Sequence, residues 1–116
     1  MDFQLVVDFI KHFAGAEKTF LCGCCYWFAW ILQCRFGSIH DDGCFSEIFY
    51  EPVEGHFIFG IHEDSGWHYF DVRGDVTSLY NKDGVTLRSI SDIIFNDPKW
   101  YERLMRDCRN FITPED

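Results

Sequence analysis

The sequence predicts an α+β fold: an N-terminal helix, a buried central helix packed on an antiparallel β-meander, and a C-terminal helix. Three observations lead there. Residues 3–14 and 24–36 carry apolar side chains in helical patterns, residues 46–72 switch to short aromatic and β-branched runs, and Asp97-Pro98 opens a last helical stripe. Helices and strands are thus segregated along the chain, as in α+β proteins. With 116 residues, the whole of 1–116 is expected to form a single domain.

In order along the chain, Phe3, Val6, Val7, Ile10 and Phe13 mark the first helix, with Asp2 as its N-cap and Gly15 as its terminator. The second helix runs from Cys24 to Phe36 and is closed by Gly37. It is apolar nearly all round (Tyr26, Trp27, Phe28, Ala29, Trp30, Ile31, Leu32), so it is expected to pass through the middle of the domain. Strands follow at Ser46–Tyr50, His56–His62 and Trp67–Val72, separated by turns at Glu51–Gly55 and Glu63–Gly66. Weaker strand signals at Asp75–Leu79 and Val85–Arg88 flank Asn81-Lys82-Asp83-Gly84. Pro98 at the first helical position starts the last helix, whose buried stripe is Trp100, Tyr101, Leu104, Met105, Cys108, Phe111 and Ile112.

Composition excludes several classes. A hydrophobic fraction of 47% excludes intrinsic disorder, and no apolar run approaches the ~18 residues of a membrane span. Asp8 interrupts the first apolar stretch and no basic segment precedes it, so it does not read as a signal peptide. A cytoplasmic protein without membrane contact is expected. The net charge of −9 argues against direct nucleic-acid binding. Residues 37–76 hold nine acids and only Arg73, so the field originates in the middle third. Such a bias is commonly a solvated surface; here it also points to a cationic substrate or a basic protein partner.

Without a signal sequence the six cysteines are expected to be reduced. Cys34 and Cys108 fit buried apolar roles, whereas Cys22, Cys24 and Cys25 crowd three thiols into four residues around Gly23. A cysteine in the first turn of a helix meets unpaired N–H groups and the positive end of the helix dipole, which favour thiolate. Cys25 is placed there, and the backbone N–H groups of Cys24 and Cys25 are candidate oxyanion donors.

Cys22-Gly23-Cys24-Cys25-Tyr26-Trp27-Phe28-Ala29 resembles the nucleophile segment of papain-like cysteine peptidases, C-G-[SA]-C-[WY] at the start of a central helix. Cys22, Gly23, Cys25 and Tyr26 match, and Cys24 departs from the usual Ser or Ala. The family order, Cys-helix, then a His opening a strand, then a polar residue on the next strand, is met by His56 and Asp71. If the Glu63–Gly66 turn pairs His62 with Trp67, Ile58 faces Asp71, and His56 lies diagonal to Asp71 on one face at roughly 7–8 Å. The short chain is similar to the compact NlpC-type and CHAP-type amidases and peptidases of bacteria and phages. That resemblance implies a thiol hydrolase cleaving an amide, isopeptide or similar acyl bond, with Cys25 as nucleophile, His56 as base and Asp71 orienting the imidazole. It implies no cofactor. Where the family often has an oxyanion Gln, this chain has Thr19.

Alternatives from other classes stay open. Asp71 could instead partner Arg73 or cap the Asp71–Gly74 turn. His62 and His68 read as an exposed and a packed strand histidine, and His12 and His40 carry no signal. Zinc at Cys22, Cys24 and Cys25 with one His is the chemical competitor, although paired knuckles are missing. The functional competitor is a non-catalytic acidic inhibitor or adaptor, phage-encoded and imitating nucleic acid, that binds a basic surface.

Overall fold

A computed structural model describes residues 2–21, 25–37 and 45–112, the side chains of 18–19 and 107–112 excepted. The Asp2 carboxylate accepts from the Gln4 N–H at 2.9 Å and starts α1 (Phe3–Ile10), which tightens into a 3-10 turn over Lys11–Phe13. Gly15 follows at φ 95°, a left-handed conformation that glycine adopts without cost. A short helix absent from the sequence reading, α2 (Glu17–Leu21), leads toward α3 (Cys25–Phe36).

Strands β1 (Phe45–Glu51), β2 (His56–Glu63) and β3 (Gly66–Asp71) are each within a residue of expectation. With β4 (Gly74–Asp75) and β5 (Arg88–Ser89) they form one antiparallel sheet in the order β4-β3-β2-β1-β5. The expected register is present: Glu63 pairs with Gly66, His62 with Trp67 and Phe59 with Phe70. The architecture is α+β.

Two expected strands are corrected. Asp75–Leu79 is strand only at its first residue, because the Asp75 carboxylate takes the Thr77 N–H at 2.9 Å and the Thr77 hydroxyl at 2.6 Å. That local turn begins α4 (Thr77–Tyr80) instead. Val85–Arg88 contributes only Arg88, which with Ser89 pairs to Tyr50 and Phe49 on the open side of β1. The Ser89 hydroxyl then accepts the Asp92 N–H and caps α5 (Ile90–Asn96), before α6 (Pro98–Ile112). Helix α5 was missed although Ser89-Ile90-Ser91-Asp92 carries its capping signal.

Period-two alternation divides the sheet into two faces. Phe57, Phe59, Ile61 and Phe70 join Val6, Phe28, Leu32 and Ile93 in the main core, so α1, α3 and α5 cover one face. Trp100, Tyr101, Leu104 and Met105 of α6 pack against that core, while Cys108, Phe111 and Ile112 have side chains outside the described set. On the second face Ile58 and Tyr69 pack with Val76 and Tyr80 under α4.

The central helix is not enclosed all round. Trp30 and Cys34, four residues apart on one stripe, are exposed, so Cys34 is not the buried thiol expected. Lying on one face of a sheet leaves a helix one side toward water. His62 is half-buried between Phe45 and Trp67, and His68 stacks on Phe3 with ring centroids 4.1 Å apart.

At the centre of β2, a Cβ added to Gly60 would sit 2.7 Å from the Phe49 ring and 3.2 Å from the Trp67 ring. Gly60→Ala is therefore expected to destabilise the protein by about 1–3 kcal/mol through overpacking. Urea unfolding checks this; an unchanged midpoint would show that both rings move aside freely.

Candidate active site

Three elements meet at the start of β2. The all-apolar first turns of α3 pack on β2 and bring Cys25, the first residue of the helix, to the strand's beginning. There the Phe57 N–H donates to Cys25 Sγ at 3.4 Å. His56, the first residue of β2, follows Gly55, whose φ of 67° turns the chain out of the Glu51–Gly55 loop. Asp71 ends β3 and closes the turn Asp71-Val72-Arg73-Gly74. Its carboxylate takes the Arg73 N–H at 2.8 Å, and Gly74 supplies the positive φ of 109° at the turn's fourth position.

The hairpin register then brings His56 Nε2 to 2.9 Å from Asp71 Oδ2. Nε2 being engaged, Nδ1 is the nitrogen left for the sulfur, and Cys25 and His56 stand close enough for each to shift the other's ionisation. By alternation His56 and Asp71 project from the face opposite α3. Cys25 reaches the imidazole around the end of the strand rather than across the sheet.

Cys25, His56 and Asp71 are 6%, 5% and 3% exposed, so their charges interact through little water. Burial pushes the Cys25 thiol up, but the His56 and Phe57 hydrogen bonds and the imidazolium charge outweigh it and hold the thiol below its ordinary value. For His56, burial works downward, yet the bonds to Asp71 and then Cys25 raise it to about 9. Burial likewise opposes ionisation of Asp71, while His56 and Arg73 hold its carboxyl below the usual range. All three directions favour thiolate, imidazolium and carboxylate together near neutral pH.

Asp71 makes both of the contacts the sequence offered it, bonding His56 and Arg73 together. Cys22 and Cys24, hence the zinc alternative and one oxyanion donor, lie outside the described residues, as do His40 and the side chain of Thr19. Sequence reading missed Tyr80, whose hydroxyl accepts from Arg73 Nη2 at 3.1 Å and whose ring lies 6.3 Å from that of His56. It also missed Glu51, buried opposite His56 in the β1–β2 pairing, whose carboxylate takes the Val53 and Glu54 N–H groups at 2.8 and 2.7 Å. A pocket of about 360 Å³ is lined in part by Glu51, Glu54, Arg73, Tyr80 and Lys82, so it shares Arg73 and Tyr80 with the surroundings of the His–Asp pair.

No protein-family model, curated protein or solved structure matches this chain. The functional argument rests on the site's own geometry. Among the described residues no helix is long and apolar enough to cross a membrane.

Proposed function

We propose that this chain is a compact papain-like thiol hydrolase that cleaves an amide, isopeptide or similar acyl bond through a thioester. The observation carrying the reading is a single chain of contacts. A buried cysteine at a helix N-terminus is coupled in its ionisation to an adjacent imidazole, one nitrogen of which is held by a buried carboxylate. In this reaction the Cys25 thiolate attacks the carbonyl carbon, and the N–H groups opening α3 face the developing oxyanion. The imidazolium gives its proton to the leaving amine as the C–N bond breaks. Neutral His56 then takes a proton from water, hydroxide adds to the thioester, and collapse releases the acid and returns the proton to the pair. Asp71 stays ionised throughout and fixes the ring. The nine acids between residues 37 and 76 support a cationic peptide or amide as substrate.

Site-resolved alkylation by iodoacetamide tests the reading without knowing the substrate. Cys25 is expected to be carboxamidomethylated at a nearly constant rate from pH 6 to 8, whereas an ordinary thiol gains close to tenfold per pH unit. If Cys25 also gains tenfold per unit, the thiolate is not preformed and the hydrolase reading fails. The acidic middle third would then favour a protein that binds a basic surface, with affinity falling as salt rises.

A further inference from the structure

Asp71 serves two cations, and the hydrolase reading uses only one of them. Its Oδ2 meets His56 Nε2 at 2.9 Å and Arg73 Nη2 at 2.5 Å, while Oδ1 takes the Arg73 N–H and Nε at 2.8 and 3.1 Å. The Tyr80 hydroxyl accepts from the same Nη2 at 3.1 Å, and the Tyr80 ring lies alongside the imidazole at 27°. Resting on the function proposed above, we propose that Arg73, held by Tyr80, is a positioning residue that draws on the Asp71 carboxylate in competition with His56 and so keeps the imidazolium able to release its proton.

The chemistry requires such a restraint. A His that transfers a proton to the leaving amine and then removes one from water works best when neither form is locked in. A buried Asp–His pair with a thiolate alongside favours the imidazolium from both sides, and that form would be a poor base for thioester hydrolysis. A guanidinium on the same carboxylate oxygen opposes this in two ways: it takes part of the acceptor capacity, and it adds a positive charge near the ring. Arginine suits the role because its fork engages both oxygens and it stays charged at every working pH. Among the described residues, the other titratable groups around the imidazole are Cys25 from α3, Glu51 opposite it on β1, and Tyr80 from α4. Glu54 and Lys82 line the pocket that Arg73 and Tyr80 share.

The side chain of Arg73 is 36% exposed and lines that pocket, and the Asp71 turn keeps its backbone bond to the Arg73 N–H whatever side chain follows. Arg73→Met and Arg73→Ala therefore remove the guanidinium and leave the turn in place. The test is an NMR pH titration of the His56 ring in a Cys25→Ala background, where the imidazole titrates without its thiolate.

Arg73→Met is expected to move the midpoint upward by about 0.5–1 pH unit, the one-third exposure of the side chain limiting the effect. Tyr80→Phe, which loosens Arg73 without removing it, should move it the same way by less. Guanidinium chloride well below denaturing concentrations should return Arg73→Ala toward the unsubstituted midpoint, because the pocket admits the ion. A downward shift would mean that Arg73 merely keeps the Asp–His contact closed, and no shift would mean that it does not act on His56; either overturns the proposal. The midpoint requires no hydrolysis. An upward shift beside ordinary Cys25 alkylation would sink the hydrolase and leave the competition standing, and the reverse pattern would sink the competition alone.

Discussion

His56→Ala is expected to slow alkylation of Cys25 at pH 6 by about a hundredfold. An ordinary thiol titrating near 8.5 is only about 0.3% ionised at that pH, so a thiolate sustained by imidazolium loses at least two powers of ten when the imidazole goes. Two further effects act in opposite directions. Burial of the sulfur, no longer countered by His56, pushes ionisation further out of reach. The freed thiol would be intrinsically more nucleophilic once ionised, which returns part of the loss. As pH rises and the His56→Ala thiol ionises, the rates of the two proteins should draw together. Stopped-flow or mass-spectrometric kinetics across pH 5–10 read this directly. Equal rates at pH 6 would show that His56 does not sustain the thiolate.

Asp71→Ala is expected to cost about 2–4 kcal/mol of folding stability at pH 7. It strips the counter-charge from a buried imidazolium and from a partly exposed guanidinium, and it removes the acceptor that closes the β3–β4 turn. The solvent share of Arg73 places the figure below that of a fully buried pair. The pH dependence has a definite sign. Asp71 is held below its unfolded value near 3.8, so its contribution is present above that value and is lost as pH falls through the folded one. His56 is raised from 6.5 to about 9, so its contribution is full below 6.5 and is lost as pH rises through about 9. Wild-type stability should therefore decline between pH 6.5 and 9 relative to Asp71→Ala, and the two proteins should converge again in strong acid. Urea midpoints at pH 3, 6 and 9 test it; a constant difference between the two would refute the linkage.

Much of the pairing was legible in the residues because it depends on short loops. The four residues Glu63–Gly66 close a tight hairpin, and a side-chain period of two then leaves one register, which carries His56 and Asp71 to the same face. Glu51 was not legible as a buried carboxylate, since nothing in Glu51-Pro52-Val53-Glu54 distinguishes a turn-capping acid from a solvated one. Tyr80 was hidden for another reason. Its segment alternates like a strand, and only the Asp75 carboxylate turning back onto Thr77 makes it the helical turn that carries the ring to His56.

By itself the sequence determined the local geometry: a helix beginning at Cys25, a strand beginning at His56, and an aspartate closing the next turn, each fixed by neighbours a few residues away. Only the tertiary structure decided that the cysteine meets, around the end of β2, an imidazole that projects from the face opposite the one on which its own helix is packed. It also decided that Arg73 and Tyr80 close around the carboxylate. Helix-on-sheet packing sets how far the first turn of α3 overhangs the strand, and that distance comes from the volumes of Phe28, Leu32, Phe59 and Phe70 filling the space between the layers. No local pattern encodes such a sum, because it exists only once the two layers are in contact.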